Sequence, residues 1–122
     1  AKGVSMRLLT CTLLLLACQS IGATSTMCMF DPPSTAPLSV LEFLGYQEIG
    51  PVLVHGHKGP RSLPHGSWKV LDFDAPSARI HFVYVNPGDA SLPDSFTLTG
   101  QQKSTRLVTG GRTYTGVFRC DF

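Results

Sequence analysis

The fold is decided most clearly by residues 79–89, which read Arg-Ile-His-Phe-Val-Tyr-Val-Asn-Pro-Gly-Asp. Successive side chains of a β-strand point to opposite faces, and those of this stretch form two sets: Ile80, Phe82 and Tyr84, and His81, Val83 and Val85. Both sets are largely apolar, which predicts a strand that is covered on both faces and lies centrally in a sheet. The Asn-Pro-Gly-Asp sequence at its end is a strong turn signal.

Strand patterns continue on both sides of this stretch. They predict strands over residues 52–57, 68–74, 79–86, 95–99, 105–109 and 112–120. Residues 38–46 fit either a short helix or a strand, because periodicity alone cannot assign a short apolar run. Gly110-Gly111 predicts a tight hairpin, since two glycines readily adopt the positive φ angles of its turn. The whole pattern predicts an all-β domain, a small antiparallel sandwich or partly open barrel of five to seven strands.

The last predicted strand carries a cysteine that can form a stabilising disulfide. One face of that strand holds Tyr114, Gly116, Phe118 and Cys120. We expect this face to be buried, and we predict that Cys120 is bonded to Cys28. In the chain-entropy model, closing a loop of about 92 residues stabilises a fold by ~4–5 kcal/mol. The alternative is a soft metal site at Met27-Cys28-Met29, because thiolate and thioether ligands suit Cu(I).

Residues 6–18 have the profile of an export signal. They read Met-Arg-Leu-Leu-Thr-Cys-Thr-Leu-Leu-Leu-Leu-Ala-Cys, a basic start followed by a run of leucines. The apolar stretch is about ten residues long, whereas a membrane-spanning helix needs about 20. A short apolar segment behind basic residues is typical of a cleaved secretory signal. We therefore expect the mature protein to lie outside the cytosol.

The end of that segment, Leu15-Leu16-Ala17-Cys18, resembles the lipobox of bacterial lipoproteins. The resemblance implies that Cys18 becomes the first residue and carries a lipid anchor. It also implies that Gln19, which follows the cysteine, sorts the protein to the outer membrane, facing the periplasm. Alternatively, cleavage after Ala23 would release a secreted or soluble periplasmic protein that begins at Thr24.

The lipobox resemblance divides the chain into three segments: a signal peptide at 1–17, a tether at 18–37 and a β domain at 38–122. Serine, threonine and proline are frequent in the second segment. Prolines hold such a segment extended, so that it acts as a semi-rigid spacer.

Charge and motifs exclude several functional classes. The chain has ten basic and eight acidic residues; Lys2 and Arg7 of the signal leave eight basic residues against the eight acidic ones. Nucleic-acid binding normally needs a basic face that neutralises phosphates, so we do not expect a nucleic-acid partner. The sequence contains neither Gly-x-Ser-x-Gly nor His-Glu-x-x-His. It therefore predicts no enzymatic activity and no cofactor.

Three of the four histidines lie close together in sequence, at His55, His57 and His65. The first two are two residues apart on a predicted strand, so their side chains point the same way. Two imidazoles in this geometry, with a third from the following loop, can bind Zn²⁺ or Cu²⁺. The alternative is that all three are polar residues at a strand end and in a loop, where they face water.

The candidate binding residues are Lys58, Arg61, His65 and Trp68, in or beside the predicted loop at 58–66. Loops on a rigid sheet tend to carry binding residues, and tryptophan often anchors interfaces. The tryptophan also suits the core. We expect a small envelope lipoprotein that binds a protein partner, for example as an accessory subunit of an outer-membrane secretion or pilus complex. The alternatives are a periplasmic inhibitor of a lytic enzyme such as lysozyme, using the 58–66 loop, and a metal-binding protein using the histidine cluster.

Overall fold

The computed structural model describes residues 25–56 and 59–120. Their strands are β1 (Thr26–Asp31), β2 (Leu41–Gly45), β3 (Ile49–Gly56), β4 (Gly59–Ser62), β5 (Trp68–Asp74), β6 (Arg79–Tyr84), β7 (Phe96–Gln101), β8 (Thr105–Thr109) and β9 (Arg112–Arg119). A 3-10 turn at Gln102–Ser104 precedes β8. No helix within these two ranges is long and apolar enough to cross a membrane.

The nine strands form one antiparallel sheet in the order β4-β3-β2-β1-β9-β8-β7-β6-β5. The sheet curls into a half-barrel, so that strands from its two halves face each other. The rings of Phe43 on β2 and Phe82 on β6 meet edge to face, with their centroids 5.3 Å apart. The predicted all-β antiparallel class is confirmed. The predicted count of five to seven strands is too low, because β1 and β4 were not recognised.

Strand β9 joins the two halves of the sheet. Its first part pairs with β8, and its last three residues pair with β1. Gly116 lies where the partner changes, and there is no room for a side chain on it. A Cβ at this position would lie 2.8 Å from the Phe30 ring and closer still to the carbonyl oxygen of Asp31. Glycine at position 116 therefore allows β1 to lie close against β9 where the two halves of the sheet meet.

Strand β1 corrects the predicted tether at 18–37. Within it, Met27, Cys28 and Phe30 are buried in the core. A β-bulge between Thr26 and Cys28 turns two consecutive side chains inward, which hides the alternation expected of a strand. Residues 18–24 of the predicted tether, and the whole predicted signal peptide, lie outside the described residues.

The disulfide between Cys28 and Cys120 is confirmed, and it links β1 to the residue that follows β9. The alternative of a metal site at Met27-Cys28-Met29 is wrong, because the Cys28 sulfur is committed to this bond and cannot serve as a thiolate ligand. The predicted buried face of the last strand is also confirmed: Phe118 is buried, whereas Thr113 and Thr115 on the other face are exposed.

The ambiguous segment at 38–46 contains a strand, β2, rather than a helix. The fold-deciding stretch is strand β6, with Ile80, Phe82 and Tyr84 buried on its inner face. The prediction that it lies centrally in the sheet is wrong: β6 is the second strand from the β5 edge. The expected cover on its outer face is also incomplete: Val83 is only partly buried, and Val85, which directly follows the strand, is 60% exposed.

Candidate binding surface

The half-barrel is open between β4 and β5, the two edge strands of the sheet. These strands are consecutive in sequence and are joined by residues 63–67. Among the described strands, β5 pairs only with β6, and it carries a β-bulge between Val70 and Asp72. No described strand pairs with its other edge, which is thus open to contact with another molecule.

A largely apolar groove of about 680 Å³, whose lining also includes Lys69, lies along this edge. Six of the residues that line it are Pro64, His65, Trp68, Leu71, Val83 and Val85, and we call it the β5 groove. Leu71 is 55% exposed, although leucine is usually buried. The bulge lies at Leu71, whose side chain lines the same outer groove as Val83 of β6. Several exposed apolar side chains therefore lie side by side.

Trp68 connects the β5 groove to the core. Its ring stacks on the buried Phe82 ring at a centroid distance of 5.5 Å and an interplanar angle of 29°. Trp68 is only partly buried, and it lines both the groove and a neighbouring depression of about 510 Å³ that includes Pro51 and Leu63. The sequence allows Trp68 to be either a core residue or a binding residue. In the structure its ring packs on the core and also lines a surface groove.

Two of the four predicted binding residues, His65 and Trp68, share the β5 groove. Arg61 does not: its guanidinium donates to the Ser91 carbonyl oxygen at 3.0 Å and to the Ser91 hydroxyl at 2.7 Å. It also forms an ion pair of 3.4 Å with Asp89. Arg61 thus holds β4 against the loop at 86–95. The fourth predicted residue, Lys58, lies outside the described residues.

The loop at 86–95 is held by hydrogen bonds from one side chain. The Asn86 amide oxygen accepts from the backbone N–H groups of Gly88 and Asp89, both at 2.7 Å. Its amide nitrogen donates to the carbonyl oxygens of Asp89 at 2.9 Å and Pro93 at 2.8 Å. Leu92 from the same loop is buried. These hydrogen bonds and the burial of Leu92 fix the shape of the loop, so it is not a freely adapting surface.

The predicted histidine cluster is not brought together within the described residues. No group of three or more His, Cys, Asp or Glu side chains there could hold a metal ion. His55 instead contacts Glu42 on β2, with 2.8 Å between Nε2 and Oε1, while His65 lines the β5 groove. His57 lies outside the described residues.

Glu42 was missed by the sequence reasoning. It accepts a hydrogen bond from the Thr26 hydroxyl in addition to its contact with His55. The Thr26 hydrogen bond, followed by the one with His55, lowers the pKa of Glu42 below its ordinary value. Residue types alone do not signal this pair, because it depends on the register between β2 and β3. That register places Glu42 opposite Leu53, so that Glu42 lies diagonally across from His55 on the same face.

Comparisons with known proteins add no family to these observations. No protein-family model matches the chain, and neither a curated protein nor a solved structure matches it.

Proposed function

We propose that this protein is an exported binding or assembly module of the cell envelope, anchored by lipid at Cys18 in the outer membrane and facing the periplasm. The leucine-rich segment at 6–18 and its lipobox-like end support the address and the anchor. The Cys28–Cys120 disulfide is consistent with an oxidising compartment.

The observation that carries the binding role is the β5 groove. Leu71 and Val85 are more than half exposed, and they lie beside a partly exposed tryptophan at a free sheet edge. Contiguous exposed apolar side chains mark interaction sites, and tryptophan is enriched among residues that dominate binding energy. An edge strand can in addition pair with an extended segment of a partner. We propose that an extended segment of an envelope protein docks here.

The finer proposal is that the partner belongs to an outer-membrane secretion or pilus complex, with this protein as an accessory subunit. The lysozyme-inhibitor hypothesis depended on a free loop at 58–66. Residues Gly59–Ser62 are instead strand β4, and Arg61 contacts Ser91 and Asp89 within the same molecule. The β5 groove therefore supports the assembly hypothesis better.

The test is site-specific photo-crosslinking in cells that export the protein. A photoreactive residue at Leu71 or Val85 should give the same discrete adduct, because both positions line the β5 groove. The control position is Thr115, an exposed residue on β9, three strands from β6. Adducts that are absent, or that form equally at position 115, contradict the proposal.

A substitution completes this test. Leu71→Asp should abolish recovery of the crosslinked partner through position 85, because it replaces an exposed apolar side chain of the groove with a carboxylate. Leu71 is exposed, so the free energy of unfolding should change by only about 0.5 kcal/mol or less. Full recovery of the partner with Leu71→Asp would show that the groove is not the docking site.

A further inference from the structure

The turn between β2 and β3 lies beside the point where the chain enters the sheet. Its residues 46–48 are all exposed, and we call it the Tyr46 turn. The side chain of Tyr46 is 69% exposed. The backbone N–H of Gly45 donates to the carbonyl oxygen of Ser25 at 3.1 Å, which fixes the base of the turn against the start of β1.

The short distance in sequence between Cys18 and β1 limits where the domain can lie. Ser25 is seven residues after Cys18. Seven fully extended residues span at most about 25 Å. The eight residues of β9 are themselves about 26 Å long, so this connection is no longer than the domain. A domain held by lipid at Cys18 therefore stays close to the membrane surface, and the start of β1 lies within about 25 Å of the lipid-bearing residue.

The chemistry of the Tyr46 turn suits a lipid headgroup layer. Tyrosine is enriched at membrane–water interfaces, because its ring is apolar and its hydroxyl can hydrogen-bond. Gln47 is neutral, and Glu48 is the only charged residue among 46–48, so a zwitterionic surface fits better than an anionic one. Gly45 keeps the turn in shape: its φ is +138°, and a Cβ there would overlap the carbonyl oxygen of Glu48.

We propose that the Tyr46 turn is the membrane-contacting corner of the domain and that it rests in a zwitterionic headgroup layer. This inference depends on the proposed lipid anchor at Cys18. It assigns the β2–β3 end of the sheet to the membrane. The opposite end of β9, at the Gly110-Gly111 hairpin, is then held away from the membrane.

The test places a single fluorescent reporter at either end of the sheet. Trp68→Phe removes the only tryptophan, and Tyr46→Trp or Val108→Trp then introduces a new one. Val108 is 40% exposed and pairs with Thr113, which is six residues before Arg119, or about 20 Å along β9. Each full-length acylated variant is purified from membranes and reconstituted in phosphatidylcholine vesicles, with and without brominated lipid.

We expect the emission of Tyr46→Trp to shift to shorter wavelength and to lose intensity with brominated lipid, while that of Val108→Trp stays unchanged. Equal responses at the two positions would overturn the inference. Mass spectrometry of the same samples reports acylation of Cys18. If Cys18 is acylated but the fluorescence of Trp at position 46 is not quenched, the proposed membrane contact of the Tyr46 turn is wrong and the lipid anchor stands. If Cys18 carries no lipid, both the anchor and the membrane contact that depends on it are wrong.

Discussion

Glu42 shows how one side chain can make the stability of this sheet depend on pH. The Thr26 hydroxyl and the His55 ring both contact its carboxylate, which lowers the pKa of Glu42 below the ordinary value of 4.5. A carboxyl group with a lowered pKa in the folded state stabilises the fold when it is ionised in both states. This contribution is therefore fully present above about pH 4.5, and it is lost as the pH falls through the lowered pKa of the folded protein.

We predict that Glu42→Gln lowers the free energy of unfolding at pH 6 and that the difference from the parent protein shrinks below pH 4.5. Urea unfolding over this pH range measures it. Thr26→Val removes the hydrogen bond that lowers the pKa of Glu42 most. That variant should reproduce part of the loss at pH 6. A difference between the parent and Glu42→Gln that stays constant from pH 6 to pH 3 would contradict this account.

Strand β9 serves both halves of the sheet, and this double role depends on Gly116. We predict that Gly116→Ala costs about 1–3 kcal/mol, the usual penalty for overpacking a core. The added methyl group would press on the Phe30 ring and on the backbone of Asp31, and the backbone cannot simply move aside. The free energy of unfolding in urea measures the cost.

Gly56→Ala is the matched control, because a Cβ at this position meets nothing within 4 Å. Its free energy of unfolding should stay within about 0.5 kcal/mol of the parent value. Equal losses for the two variants would show that the crowding at Gly116 is not the cause.

The sequence predicted those elements whose pattern is local. Strand β8 has the predicted bounds, and the predicted hairpin at Gly110-Gly111 joins β8 to β9. Strand β1 was missed because its bulge breaks the alternation of buried side chains. Strand β4 reads Gly-Pro-Arg-Ser, which has little β propensity, and it is a strand because it pairs with β3.

The candidate site was also predictable only where the signal is local in sequence. His65 and Trp68 were recognised by residue type and by their place in or beside a loop. Leu71 and Val85 were not, because a strand pattern does not show that β5 is an edge or that the outer face beside it is uncovered. The contact between Glu42 and His55 depends on the register of two strands, which the chain fixes only when it folds.

At the scale of the whole molecule, the disulfide connects the beginning and the end of the described chain, 92 residues apart. We predict that the double variant Cys28→Ala, Cys120→Ala loses about 4–5 kcal/mol of stability, the value of the chain-entropy model for a loop of this length. This is a large share of the roughly 5–15 kcal/mol typical of a domain.

Urea unfolding with and without a reductant tests this prediction. Reductant should lower the unfolding midpoint of the parent protein to that of the double variant and leave the double variant unchanged. Identical midpoints for the oxidised parent and the double variant would contradict the proposed contribution of the bond.

The position of β1 between β2 and β9 constrains the order in which the molecule can be made. A chain that emerges N-terminus first presents β1 and β2 well before β9, which is the last of the described strands in sequence. One flank of β1 therefore lacks its partner until β9 has emerged. An intermediate that is arrested before that point would expose an aggregation-prone strand edge.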